Sequence, residues 1–163
     1  MSEKKTTLND FYETKIKDIR YTPIEKLSCI DEKSDVTAVF SLISTKDHVW
    51  VMSNKDPKHV AGIITESDTI VLFSPLSEML PSFDKPDSRS LQFGDMVTTE
   101  ELMSKKPVTA SPDNNIRDVL LKMKEQKIKQ LPVVDENTHL IGEISLSHLI
   151  QEYSKHFSQK SLE

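Results

Sequence analysis

Val60-Ala61-Gly62-Ile63-Ile64-Thr65-Glu66-Ser67-Asp68 and Leu140-Ile141-Gly142-Glu143-Ile144-Ser145-Leu146-Ser147-His148 are one segment written twice, 80 residues apart. Each runs through one of only three glycines and reaches a hydroxyl residue followed three positions later by Asp or His. The apolar run reads as a strand, and the hydroxyl residue as the start of a helix. The same offset pairs His59 with His139, Ser67 with Ser147 and Ile70 with Ile150. Upstream, Val36, Val39, Phe40 and Ile43 fall opposite Ile116, Val119, Leu120 and Met123, both sets at i, i+3, i+4, i+7 spacing. Agreement over three separate stretches establishes an internal repeat.

Each copy reads as the same series of elements. In the second, Pro107-Val108-Thr109-Ala110 is a short extended piece and Ser111-Pro112-Asp113-Asn114 supplies turn and helix-start chemistry. A helix is expected from Ile116 to Gln126, strands at Leu131–Val134 and Leu140–Ile144 around the turn Asp135-Glu136-Asn137-Thr138, and a last helix with Leu146, Leu149, Ile150 and Tyr153 on one face. The first copy repeats this, with strands at Ser28–Ile30, His48–Met52 and Val60–Ile64, a helix over Asp35–Ser44 and another from Glu66. On the same offset, Val51-Met52-Ser53 stands where the second copy has Leu131-Pro132-Val133. The proline-bearing run Ser74–Asp95 reads as a linker, and Thr99–Met103 as a short helix leading into the second copy. The divisions are 1–13 extension, 14–75 first repeat, 76–98 linker, 99–157 second repeat and 158–163 tail. One copy cannot bury both faces of so small a sheet, so the two are expected to pack together.

Composition narrows the function. With 21 Lys and Arg against 26 Asp and Glu, the net charge of −5 argues against broad affinity for nucleic acid. Lys122, Lys124, Lys127 and Lys129 alternate with Met123 and Ile128 and read as a solvated helix side. The longest apolar run, Ile70–Phe73, is far too short to span a bilayer, and the N-terminus has no apolar stretch of a secretory signal, so a cytoplasmic protein is expected. A single cysteine excludes an internal disulfide, and the five histidines show no HxxxH or HExxH spacing, so no metal site is expected. No glycine-rich phosphate loop or nucleophile elbow appears, which argues against an enzyme. Trp50 reads as an apolar anchor on its strand.

Glu101-Leu102-Met103-Ser104-Lys105-Lys106-Pro107-Val108-Thr109, Gln130-Leu131-Pro132-Val133-Val134-Asp135 and Leu140-Ile141-Gly142-Glu143-Ile144-Ser145 resemble a CBS (cystathionine-β-synthase-type) domain. The first copy matches in Gly62–Asp68 and its helix pattern, and the resemblance spans roughly residues 14 to 157. It implies an α/β (α+β) fold of two βαββα-type repeats about a pseudo-twofold axis, as in tandem regulatory modules. An adenine nucleotide (AMP, ADP or ATP) would then occupy the cleft between repeats. The module would form a homodimer and signal to a separate regulated protein, since no catalytic or DNA-binding domain is attached. No cofactor is implied. A dimerisation scaffold without nucleotide, or a module for S-adenosylmethionine or nucleic acid, are the alternatives.

The residues bear independently on that implication. A strand that ends where a helix begins presents unpaired N–H groups that suit phosphate. Thr65 has a hydroxyl for a phosphate oxygen, and Asp68 a carboxylate for two ribose hydroxyls. Thr65 and Asp68 equally resemble a capping box, which serves the helix alone. In the second copy Ser145 keeps the hydroxyl, but His148 replaces the acid and cannot hold a diol as a carboxylate does. The resemblance adds the first strand of each copy to the ligand wall: Ser28, Cys29 and Ile30, with Cys29 a half-buried thiol, and Val108, Thr109 and Ala110. One competent site in the first copy and an altered one in the second are expected.

Overall fold

The computed structural model describes residues 7–70 and 98–158. They form two compact units that cut across the sequence repeat. A central unit holds residues 28–70 and 98–107; a terminal unit holds residues 7–27 and 108–158. The expected linker lies outside the described residues, apart from Thr98. No helix among them is long and apolar enough to cross a membrane.

In the central unit, β2 (Cys29–Asp31), β3 (His48–Met52), β4 (Val60–Thr65) and β5 (Ser104–Lys105) form a sheet in that order, with α2 (Val36–Ile43) and α3 (Thr99–Leu102). β2 runs parallel to β3, and the other pairs are antiparallel. Val49, Val51 and Ile64 on one sheet face join Ile30, Val39, Ile43 and Met103 in a core cluster. Asp35 caps α2 by accepting from the N–H groups of Thr37 and Ala38.

In the terminal unit, β1 (Thr22–Pro23), β7 (Leu140–Ser145) and β6 (Gln130–Val134) form the second sheet, packed with α1 (Leu8–Glu13), α4 (Ile116–Gln126) and α5 (Leu146–Ser158). The N-terminal residues read as an extension contain a helix with a full capping box between Thr7 and Asp10. Phe11 and Ile16 enter the core beside Val119, Leu131, Ile144 and Leu149. Without a glycine, α4 ends on Lys127 in the left-handed region, at φ 55°. The expected turn is present: Asp135 accepts from the N–H groups of Thr138, Asn137 and His139. Of the four residues expected on one face of α5, Leu149 is buried, whereas Ile150 and Tyr153 are 57% and 45% exposed. A single buried stripe carries α5, narrower than its apolar content suggests.

The two glycines do the same work in the two units. Gly62 pairs with Lys105, and a Cβ there would lie 2.5 Å from Met103 Sδ and 2.7 Å from the Ser104 carbonyl. Gly142 pairs with Pro23, and a Cβ there would lie 2.5 Å from both the Thr22 carbonyl and the Tyr21 ring. Each glycine therefore admits a two-residue edge strand that precedes the other copy in sequence. β5 precedes the second copy yet completes the first copy's sheet, and β1 precedes the first yet completes the second's. The bridges Asp35–Thr98 and Lys15–Asn115 extend the exchange to the helix starts.

Strand register also corrects the repeat alignment. Val49 lies opposite Ile64 and Leu131 opposite Ile144, so Val49-Trp50-Val51 corresponds to Leu131-Pro132-Val133. The offset is 82 residues on these strands and 80 on either side, because the second copy adds two residues between helix start and strand and loses two in the hairpin. Matching irregularities at Val51/Met52 and Val133/Val134 fix the correspondence.

Gly142→Ala should overpack β1 against β7 and lower stability by roughly 1–3 kcal/mol. Gly62→Ala should act likewise through Ser104. An unchanged urea midpoint for either would remove the close approach as the reason for that glycine.

Candidate functional site

The two strand-to-helix turns share a geometry and differ in chemistry. In the central unit, Asp68 Oδ2 accepts from the Thr65 N–H at 2.7 Å and the Thr65 hydroxyl at 3.0 Å. Both bonds fall on one carboxylate oxygen, and among the described residues Oδ1 has no hydrogen-bond partner. One oxygen of Asp68 therefore holds the turn, and the other takes no part in it. The helix expected from Glu66 begins as a 3₁₀ turn, Glu66–Thr69.

In the terminal unit, His148 Nδ1 sits where that carboxylate oxygen does. It accepts from the Ser145 N–H at 3.0 Å and lies 2.7 Å from Ser145 Oγ. Nε2 is 3.3 Å from Thr22 Oγ1, so both ring nitrogens are engaged. Burial holds the imidazole below the usual histidine range; nearby Glu143 opposes the shift and Arg20 adds to it.

Register places the other candidates. Cys29, Trp50 and Ile63 form one row across β2, β3 and β4, and His48 lies opposite Thr65. Cys29, His48, Trp50, Ile63 and Thr65 thus share the face away from Val49, Val51 and Ile64. Ser28 sits just ahead of β2, at the same end of the sheet as Thr65, and its carbonyl accepts from Trp50 N–H at 2.9 Å. Cys29 is half-buried. Ile30 belongs to the core. Trp50 is a buried anchor, 1% exposed. His48, given no role from sequence, lies edge-on to Trp50 with Nδ1 2.7 Å from Asp47 Oδ1. Only the cross-strand register could have revealed its place beside Thr65.

The first strand of the second copy is differently occupied. Ala110 is fully buried in the core; its N–H donates to Pro132 and its carbonyl accepts from Val134, both at 2.8 Å. It offers a ligand neither side chain nor free backbone and drops out of the candidate set. Val108 packs against the same core. The Thr109 carbonyl accepts from Lys122 Nζ at 2.9 Å, and the same ammonium lies 3.3 Å from Asn114 Oδ1. Lys122, read as part of a solvated face, is a half-buried strut instead; Leu42 takes its place in the first copy. A shallow hollow lined by Asp113, Asp135 and Glu136 lies at the opposite, hairpin end of this sheet and has the wrong charge for phosphate.

Comparison with known proteins fits this picture. The family model for the CBS domain matches residues 100–155, the better-preserved copy. An uncharacterised protein of Methanocaldococcus jannaschii is 33% identical over 154 residues, covering 83% of this chain and 89% of that one. The chain belongs to the CBS-domain family. A homoserine O-acetyltransferase of Methanohalobium evestigatum is 30% identical over 122 residues, which cover 73% of this chain but 23% of the enzyme. Among solved structures, CBSX2 in complex with AMP superposes with a TM-score of 0.66 at 20% identity, covering 86% of this chain and 96% of that one. CBS domains are regulatory, and the mixed helix-and-sheet fold expected from sequence is the one observed.

Asp68→Ala removes the acceptor that organises the Thr65 turn and should cost about 1 kcal/mol, as loss of a cap typically does. Asp68→Asn keeps a carbonyl oxygen and should recover most of that in urea denaturation. No loss in Asp68→Ala would mean that the capping bonds contribute nothing, and equal losses that the charge rather than the acceptor oxygen stabilises the turn.

Proposed function

We propose that this protein is a ligand-sensing regulatory module, not an enzyme, and that it binds an adenine nucleotide at the strand end of the central unit. The observation that carries the reading is the divided use of the Asp68 carboxylate. One oxygen is fixed by Thr65, while the other has no protein partner among the described residues and suits a ribose diol. In this reading the Thr65 hydroxyl turns from Asp68 to donate to phosphate while the Thr65 N–H keeps Oδ2 in place. Ser28 and Cys29 supply backbone and wall for the base; Ile30, in the core like Ala110, drops out. The AMP complex of a protein with this fold supports the choice of ligand class.

The second copy is the poorer site. Both nitrogens of His148 are engaged, and Lys122 occupies the Thr109 carbonyl, so the Ser145 turn presents no acceptor pair to a diol. Ligand binding would act by favouring one of two states, with a separate partner reading the difference. A homodimer belongs to the same reading, and the exposed Ile150 and Tyr153 on α5 are its proposed contact. Sedimentation should show a dimer at micromolar concentration that Tyr153→Glu weakens; a monomer throughout removes that part.

Thermal unfolding with AMP, ADP, ATP, S-adenosylmethionine and a short DNA duplex tests the ligand. A nucleotide at 100 times its dissociation constant should add about 2.7 kcal/mol if it binds the folded state alone. Asp68→Ala should abolish most of the shift, and His148→Ala little of it. No shift with any nucleotide at millimolar concentration leaves the scaffold reading in place. A shift with S-adenosylmethionine alone would change the ligand, and equal losses in the two variants would overturn the site assignment.

A further inference from the structure

β1 is held to its sheet by very little. It pairs with β7 over two residues, Thr22 opposite Glu143 and Pro23 opposite Gly142, and the proline has no N–H to donate. Upstream, Phe11, Ile16 and Ile19 anchor the chain in the core, whereas Thr22 is half-buried and Pro23 exposed. His148 adds a side-chain tie, its Nε2 lying 3.3 Å from Thr22 Oγ1. The same ring organises the start of α5 through Ser145.

The proton positions on this ring follow from its partners. A backbone N–H can only donate, so Nδ1, facing Ser145 N–H at 3.0 Å, carries the lone pair. The proton of the neutral ring is then on Nε2, where it donates to Thr22 Oγ1. A second proton would have to go on Nδ1 and point at the Ser145 N–H, turning an acceptor into a donor against a donor. Ser145 Oγ, 2.7 Å from Nδ1 and already accepting from the His148 N–H, can take that proton, but the bond from the Ser145 N–H is lost. The charged ring, part-buried and near Arg20, then gains by swinging out, which releases Ser145 and Thr22 together. We infer that His148 is a proton-sensitive latch that ties β1 to the start of α5 when neutral and frees it when charged. The first copy lacks the device, because Asp68 holds Thr65 with a carboxylate and bonds to nothing on β5.

The charged groups bearing on the ring are Glu143 of β7, which favours its protonation, and Arg20 just ahead of β1, which opposes it. Burial outweighs both and keeps the closed-state imidazole below its usual range. The sign follows from linkage: a group with a depressed pKa in the closed state stabilises that state fully above its open-state pKa, about 6.5 for histidine. The stabilisation is lost as pH falls from there through the closed-state value. Within that window the open fraction grows about tenfold for each pH unit.

Amide-exchange protection factors of the full chain, followed with the His148 imidazole resonances from about pH 7.5 to 5.5, test the latch. In the wild type, protection at Tyr21, Thr22 and Ser145 should fall about tenfold per pH unit below the open-state pKa, with Val119 and Ile144 unaffected. His148→Asn keeps an acceptor for Ser145 and does not titrate, so its protection should be flat with pH. Thr22→Val should loosen β1 already at neutral pH while leaving the pH response at Ser145. PH-independent protection in the wild type, or a pH response that persists at Tyr21 and Thr22 in His148→Asn, overturns the inference. If His148→Asn does not fold, the wild-type profile and Thr22→Val decide alone: a β1 no looser than wild type at neutral pH overturns it.

Discussion

Backbone must pass within van der Waals distance of backbone at Gly62 and Gly142, and both units depend on it. The positions that a Cβ would occupy lie 2.7 Å from the Ser104 carbonyl and 2.5 Å from the Thr22 carbonyl. No side chain fits, so the two residues must be glycine for β5 and β1 to dock. The consequence is topological. Each copy's middle strand pair is completed by a short strand that precedes the other copy, so neither repeat is closed by its own sequence. The chain enters the central unit after Leu27 and leaves it after Pro107, and these two crossings make a tandem repeat into an exchanged pair.

Beyond the glycines, the two copies use one turn for different ends. Thr65 with Asp68 and Ser145 with His148 both tie a strand's last residue to the residue three positions on. A carboxylate does this with one oxygen and keeps the other. An imidazole does it with Nδ1 and reaches Thr22 with Nε2. The substitution therefore exchanges an available acceptor for an internal tie. Lys122 works in the same direction, since its ammonium occupies the Thr109 carbonyl while apolar Leu42 stands at the matching position of the first copy. The second copy has the clearer family signature and the more fully satisfied polar groups.

Much of this was legible because it is local. Periodicity alone places α4 over Ile116–Gln126 and β3 over His48–Met52, as observed. It could not show the two-residue shift that sets Trp50 against Pro132, because loop lengths change freely where helices end and only strand pairing fixes the correspondence. Nor could it show β1 and β5, two residues each, which have no period to read. Ala110 looked like a ligand wall and is core, and Lys122 looked solvated and is a strut. Both depend on what lies across from them rather than on what lies beside them in sequence.

The repeat, its capping residues and the unequal Thr65/Asp68 and Ser145/His148 motifs were therefore determined by the sequence, since each rests on spacings within a few residues. Tertiary structure alone decided which segment completes which sheet, because that choice is a long-range pairing admitted by two glycines. It alone also decided that Asp68 uses one oxygen within its turn while both nitrogens of His148 are engaged. A side chain's second hydrogen bond goes to whatever the fold brings near, and Thr22 reaches His148 across 126 residues of chain.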